Sequence, residues 1–246
     1  MLDKLDNQDE AMRGRIDLAA AFRMAEMLNL HEGICNHFSM MLSGRRFLIN
    51  PKGIHFAKIT ASSIIMIDEH GKTLEGKGRP PTSGHGIHTR IHMHHPNAKV
   101  VLHLHAPYST AICAIEGGRL EMCHQNSTRF YGEIAYDDDF GGIAVDTHEG
   151  DRMAEVMGDK RFLFLANHGV VVVGDSVAQC FDDFYYLERA AQVQVLAMQT
   201  GRPLKLMSDE MARMTHEQFK GFTVNAELHF DALKAMLDEN DPSYAS

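Results

Sequence analysis

Two short apolar runs, residues 162–165 and 170–173, stand on either side of Ala166-Asn167-His168-Gly169. A connection this short joins antiparallel strands, because a parallel crossover needs a dozen residues or more. The pattern recurs earlier. Residues 38–42 and 46–50 flank a Ser-Gly turn, and the β-branched run 64–68 leads into the hairpin turn Glu69-His70-Gly71-Lys72. Asn50-Pro51-Lys52-Gly53 is also turn chemistry. Helical stretches lie between these strand pairs. The expected fold is therefore α/β, a mixed or mostly antiparallel sheet covered by helices, and not a doubly wound parallel one.

The helices are legible from spacing and punctuation. Met12, Ile16, Ala19, Ala20 and Met27 recur at helical intervals, so residues 8–30 should form a helix stopped at His31-Glu32-Gly33. Thr82 or Ser83 should cap a helix that Pro96 terminates near His95. Pro107 or Ser109 should open a short helix through Ala114. Asp175 or Ser176 should cap a long helix with Val177, Phe181, Phe184, Ala191, Val195 and Met198 on its apolar face, ended by Gly201 and Pro203. A last helix should cover residues 223–237, and its segment 228–234 should pack on its own subunit. No repeat or linker divides the 246 residues. One domain is expected over residues 1–246, with a helical tail from about residue 204.

Composition removes several function classes. The formal charge of −9 argues against a basic nucleic-acid surface. No run is long and apolar enough to span a membrane, and the first fifteen residues hold no apolar leader segment. A cytoplasmic location is the default expectation. Cys35, Cys113, Cys123 and Cys180 form no C-x-x-C pair and have apolar neighbours, which reads as buried reduced thiols.

What the composition adds is histidine: 16 in all, ten of them between His85 and His168. Residues 99–105 read as a strand in which Val101, His103 and His105 share one face. Imidazoles two residues apart on one strand face lie about 7 Å apart and can converge on one ion, given metal–nitrogen bonds of roughly 2.0–2.1 Å. His168 sits at a turn that Gly169, free to adopt positive φ, should let bend sharply. Three nitrogens with open positions suit catalytic zinc, and also Mn, Fe or Co. A rival set, His88, His92 and His95 with His85, falls on one predicted helix face. Of that helix's histidines, His92, His94 and His95 read as solvated, while His85 and His88 follow the Thr-Ser loop where a ligand can sit. That loop, residues 78–84, opens a helix and is a natural anion site. Lys52, Lys77 and Arg79 nearby suggest a negatively charged ligand.

Taken in order, these segments resemble the class II aldolase and adducin head family. The likeness rests on His103-Leu104-His105 followed by Asn167-His168-Gly169. It extends through Gly33-Ile34-Cys35-Asn36-His37-Phe38-Ser39, Ile49-Asn50-Pro51-Lys52-Gly53, Thr60-Ala61-Ser62-Ser63 and His95-Pro96-Asn97. It implies a three-layer α/β/α sandwich on a mostly antiparallel sheet. It also implies a homotetramer with interfacial active sites, and a divalent ion, zinc first, on His103, His105 and His168. By position Asn36, Thr82 and Ser83 would contact the substrate's phosphate or other anionic end. One departure stands out. The sugar-phosphate aldolases carry a Glu directly after the Ser position, and this chain has Gly84.

Loss of that acid/base shifts the expected chemistry. A metal-dependent carbon–carbon lyase acting on a small anionic carbonyl or carboxylate compound through a metal-stabilised enolate fits best, as a decarboxylase or modified aldolase. His85, His88 or Tyr131 is the expected proton donor. The alternatives are a non-catalytic adducin-like scaffold module, which Gly84 favours, and iron-dependent oxygen chemistry on the same histidines.

Overall fold

Short, mostly buried apolar runs punctuated by turns form eight strands, and helical stretches between them cover both faces. The computed structural model describes residues 2–221 and 224–246. Its strands are β1 (His37–Leu42), β2 (Arg46–Ile49), β3 (Ile65–Ile67), β4 (Thr73–Glu75), β5 (Val100–Leu104), β6 (Ile134–Asp137), β7 (Phe162–Leu165) and β8 (Gly169–Gly174). Its helices are α1 (Leu2–Met27), α2 (Thr82–His94), α3 (Pro107–Cys113), α4 (Thr147–Met157), α5 (Val177–Met198), α6 (Asp209–Lys220) and α7 (Val224–Asn240).

The strands form one sheet in the order β4-β3-β2-β1-β5-β8-β7-β6. Every neighbouring pair is antiparallel except β6 and β7. Strand alternation then sorts the side chains. Val100, Leu102 and Leu104 of β5 join Phe22, Phe38, Phe181 and Phe184 in a core beneath α1, α5 and α7. Val101, Val171 and Val173 point the other way, against Ile87 and Ile91 of α2 and Met153 and Met157 of α4. The result is a helix–sheet–helix sandwich with β5 and β8 at its centre. The rings of Phe22 and Phe38 stack at 4.3 Å, with Phe56 edge-on to both. Each such fully buried side chain contributes about 1.5–3 kcal/mol.

Several details differ from the sequence reading. Helix α2 begins at Thr82 with Pro81 as N-cap, so neither Thr82 nor Ser83 caps it. Their hydroxyls are left for other partners. Helix α1 starts at Leu2, earlier than residue 8. Strand β6 and helix α4 form where no element was expected, while helix α6 lies within the expected helical tail. Asp146 and Ser208 cap the two helices by accepting hydrogen bonds from the nitrogens of His148 and Met211. The last helix packs Phe230, Leu233 and Leu237 into its own core, while Thr223 lies outside the described residues. Cys113 and Cys180 are buried as expected, but Cys35 is exposed and Cys123 half-buried. Among the described residues no helix is long and apolar enough to cross a membrane.

Candidate metal centre and substrate cleft

The pairing of β5 with β8 sets the site. His103 lies opposite Val171 and Leu104 opposite Val170, so β5 ends beside the start of β8. His103 Nδ1 donates to the Val170 carbonyl at 3.1 Å. His105, the first residue beyond the strand, donates from Nδ1 to a Glu32 carboxylate oxygen at 2.5 Å. Glu32 comes from the loop after α1, where its backbone nitrogen donates to Asn36 Oδ1. His168 is carried by the turn between β7 and β8. That turn is pinned by bonds from Ala166 N to Asp137 O, Asn167 N to Cys113 O and His168 N to Leu165 O.

The turn is not built as its glycine suggests. Asn167 takes the positive φ, 57°, and Gly169 lies within the strand. Glycine is required at 169 for a different reason. A Cβ there would meet the Leu104 carbonyl oxygen at 2.6 Å and His105 Cδ2 at 2.7 Å. Close approach of backbone to ring, rather than chain reversal, fixes that residue.

The three imidazoles converge. Ring centroids are 4.7–4.9 Å apart, and one nitrogen of each lies within 4.8 Å of the others. Among the described residues this is the one group of three or more potential ligands that meet in this way. A carbonyl and a carboxylate only accept, so His103 and His105 carry their protons on Nδ1. Their Nε2 atoms face each other at 3.1 Å, with a His168 nitrogen close by, so the three can share one cation. Burial, and the neighbouring histidines after it, holds His103 well below the usual imidazole range; burial and then His105 hold His168 down to about 4. A divalent metal fits, since two nitrogens at tetrahedral bond lengths of 2.0–2.1 Å lie about 3.3 Å apart.

The triad lines a cleft of about 1040 Å³, together with His37, Lys52, Thr82 and Ser83. Phe140, Ile143 and Val145 form an apolar lip that is 53%, 83% and 72% exposed. Of the nominated substrate contacts, Lys52, Thr82 and Ser83 face this space. Asn36 does not: it is fully buried, and its Nδ2 has no hydrogen-bond partner among the described residues.

None of the three expected proton donors lines the cleft. The His85 ring packs over Gly71, with Nε2 3.3 Å from the Glu69 carbonyl. His88 is buried between His37 and Ser39. The Tyr131 hydroxyl donates to Asp209 at 2.5 Å on the far side of the sheet's end, beside α6. Burial also corrects the surface reading of α2: His92 and His95 are 3% and 5% exposed, and only His94 is solvated. His88 and His92 meet only through the Ser39 hydroxyl and His95 turns away to the Lys160 carbonyl, so among the described residues the rival set does not converge on one point.

Two residues that the sequence reading left without a site role stand in the site. Glu32 orients His105. His37 lies beside Gly84, where a Cβ would come 3.1 Å from its Cγ and Cδ2. The ring occupies the space that a side chain at 84 would need. The signal for His37 was its position in Asn36-His37-Phe38-Ser39, on the strand that pairs directly with β5; Glu32 offered no signal beyond proximity to that segment.

Comparison with known proteins places the fold and the motifs together. The pattern described as "Class II Aldolase and Adducin N-terminal domain" matches residues 16–195. A putative aldolase class 2 protein of Caulobacter vibrioides is 32% identical, covering 95% of this chain and 92% of that one. An adducin-related protein of Schizosaccharomyces pombe is 31% identical over 96% of this chain and 77% of its own length. The crystal structure of an aldolase II superfamily protein from Pseudomonas syringae superposes with a TM-score of 0.89 at 31% identity, covering 96% of both chains.

Proposed function

The chain belongs to the class II aldolase and adducin N-terminal domain family, and on that premise we propose that it is a metal-dependent lyase, of decarboxylase or aldolase type, acting on a small anionic carbonyl or carboxylate compound. The observation that carries this reading is the convergence of three imidazoles, with the Nε2 atoms of His103 and His105 3.1 Å apart and His168 beside them. A scaffold alone has no physical use for three mutually repelling imidazoles at the mouth of a cleft.

His103, His105 and His168 would hold the ion, zinc first and Mn, Fe or Co as alternatives. Bound there, it supplies a Lewis acid that polarises a substrate oxygen. The protein does the rest. Glu32 and the Val170 carbonyl keep two rings in the ligating tautomer. Lys52 offers a positive charge to the substrate's anionic end, and Thr82 and Ser83 offer hydroxyls. The lip at Phe140, Ile143 and Val145 excludes water when covered, which supports a homotetramer with the cleft at a subunit interface.

A second reading, a binding module of adducin type, is favoured by Gly84 and by the absence of His85, His88 and Tyr131 from the cleft. One experiment separates the two. Elemental analysis of the purified protein should give about one metal per chain, lost in His103→Ala together with turnover of sugar-phosphate or keto-acid substrates. A protein that takes up no metal even on reloading ends the lyase reading and leaves the module. Iron as the resident ion would redirect the assay to oxygen consumption.

A further inference from the structure

Six polar groups run in an unbroken line from the cleft wall into the sheet. Ser83 Oγ lies 3.2 Å from His37 Nε2, and His37 Nδ1 lies 3.0 Å from His88 Nε2. His88 Nδ1 is 2.6 Å from Ser39 Oγ, which is 2.7 Å from His92 Nε2. His92 Nδ1 is 2.6 Å from the Ala98 carbonyl oxygen. His37, Ser39, His88 and His92 are all at most 3% exposed.

The last group in the line fixes all the others. A carbonyl has no proton, so His92 must donate from Nδ1. All three rings are buried and, among the described residues, none of their nitrogens meets a carboxylate, so each ring stays neutral. A neutral ring carries one proton, so His92 Nε2 is bare and accepts from Ser39. Ser39 has spent its only proton, so it accepts from His88 Nδ1. His88 Nε2 is then bare and accepts from His37 Nδ1. His37 Nε2 accepts from the Ser83 hydroxyl. Every other assignment leaves two donors or two acceptors facing each other in a buried place.

We propose that Ser39, His88 and His92 are positioning residues that lock His37 in its Nδ1–H tautomer and so present Ser83 to the cleft as a hydrogen-bond acceptor. The group that docks at Ser83 is then a donor, a substrate hydroxyl, and not a phosphate or carboxylate. The anionic end of the substrate belongs at Lys52 instead. The inference rests on reading this cleft as the substrate site, but not on metal being bound.

Nitrogen-15 spectra of histidine-labelled protein as purified decide it, with resonances assigned through single histidine variants. His37, His88 and His92 should each show a protonated Nδ1 and a bare Nε2 at neutral pH. Ser39→Ala should release His88 from that tautomer, and Ser39→Thr should restore it. Any of the three rings found as the Nε2–H form in the unmodified protein overturns the proposal. Inorganic phosphate supplies the second arm. Its affinity should change less than twofold in Ser83→Ala, whereas a loss of fivefold or more shows Ser83 donating to the anion and overturns the acceptor assignment. Metal content is measured separately, so failure of the lyase reading leaves these outcomes intact.

Discussion

Gly169 and His105 touch across two strands: a Cβ on the glycine would stand 2.7 Å from His105 Cδ2 and 2.6 Å from the carbonyl oxygen just before that histidine. Neither neighbour is the free end of a flexible chain. The carbonyl belongs to β5, and the ring is held by Glu32. Gly169→Ala should therefore push β5 and β8 apart at the site. The expected loss is about 1–3 kcal/mol of stability, typical of overpacking. Metal uptake should fall with it. Urea unfolding and metal titration of the variant check both; wild-type values for both would show that the strands yield at no cost.

Glu32 would act on an ion held at the triad through His105, to which it is bonded. Its side chain is 63% exposed, so removing it should leave the fold in place. The His105 ring would then be free to rotate and to exchange tautomers. Glu32→Ala should weaken metal binding about 10–100-fold, the usual effect of losing a carboxylate partner of a ligating histidine. Competition against a chelating dye measures this directly. Equal affinity in the variant would mean that the strand and turn alone orient His105.

Much of this was legible in the chain, and the gaps have physical causes. Short turns between apolar runs announced the antiparallel sheet, and the alternation in residues 99–105 placed His103 and His105 on one face. What linear spacing does not contain is which way a helix faces once packed. Helix α2 turns His88 and His92 into the sheet, where Ser39 waits, and turns His85 away from the cleft. The solvated reading held for His94 but failed for His92, whose partner Ser39 lies 53 residues away on β1, and for His95, which bonds the Lys160 carbonyl 65 residues on. Gly169 was rightly marked, but for the wrong reason, since Asn167 tolerates the positive φ and the glycine is needed where two strands meet. Helix α4 was missed because its apolar positions, Met153, Ala154 and Met157, are few and its partner α2 supplies the rest of the contact.

Acid should loosen the fold through the same buried rings. His92 is neutral when folded, with its pKa lowered to about 4 chiefly by burial, and ionises near its ordinary value when unfolded. Between those values the unfolded chain binds a proton that the native state refuses. The stability is whole above pH 6.5 and is lost as pH falls toward 4. From pH 7.0 to 5.5 His92 alone should cost about 1 kcal/mol, and His37 and His88 act in the same direction. Urea midpoints of chelator-treated protein at the two pH values test this, the chelator removing any contribution from bound metal. A flat profile would mean that the rings take up protons as freely in the native protein as in the unfolded chain, and stability rising toward pH 5.5 would mean that they are charged when folded.

Arg152 holds together the corner from which the turn carrying His168 springs. From α4 it donates to both carboxylate oxygens of Asp137, at 2.8 and 2.6 Å, and to both of Glu149. Asp137 ends β6 and is nearly inaccessible, and its carbonyl accepts from Ala166, the first residue of the turn that carries His168. The two carboxylates hold the Arg152 guanidinium well above its ordinary range, the hydrogen bond to Glu149 contributing most. Arg152→Leu would leave the Asp137 charge buried with its principal partner gone. Breaking one side of such a pair costs about 3–5 kcal/mol. Replacing Asp137 as well, with Asn, should recover part of that loss because the orphaned charge disappears. Unfolding free energies of the single and double variants measure the coupling. If Arg152→Leu costs no more than the double variant, the pair is not acting as a buried ion pair, and the turn bearing His168 must be held by its backbone bonds alone.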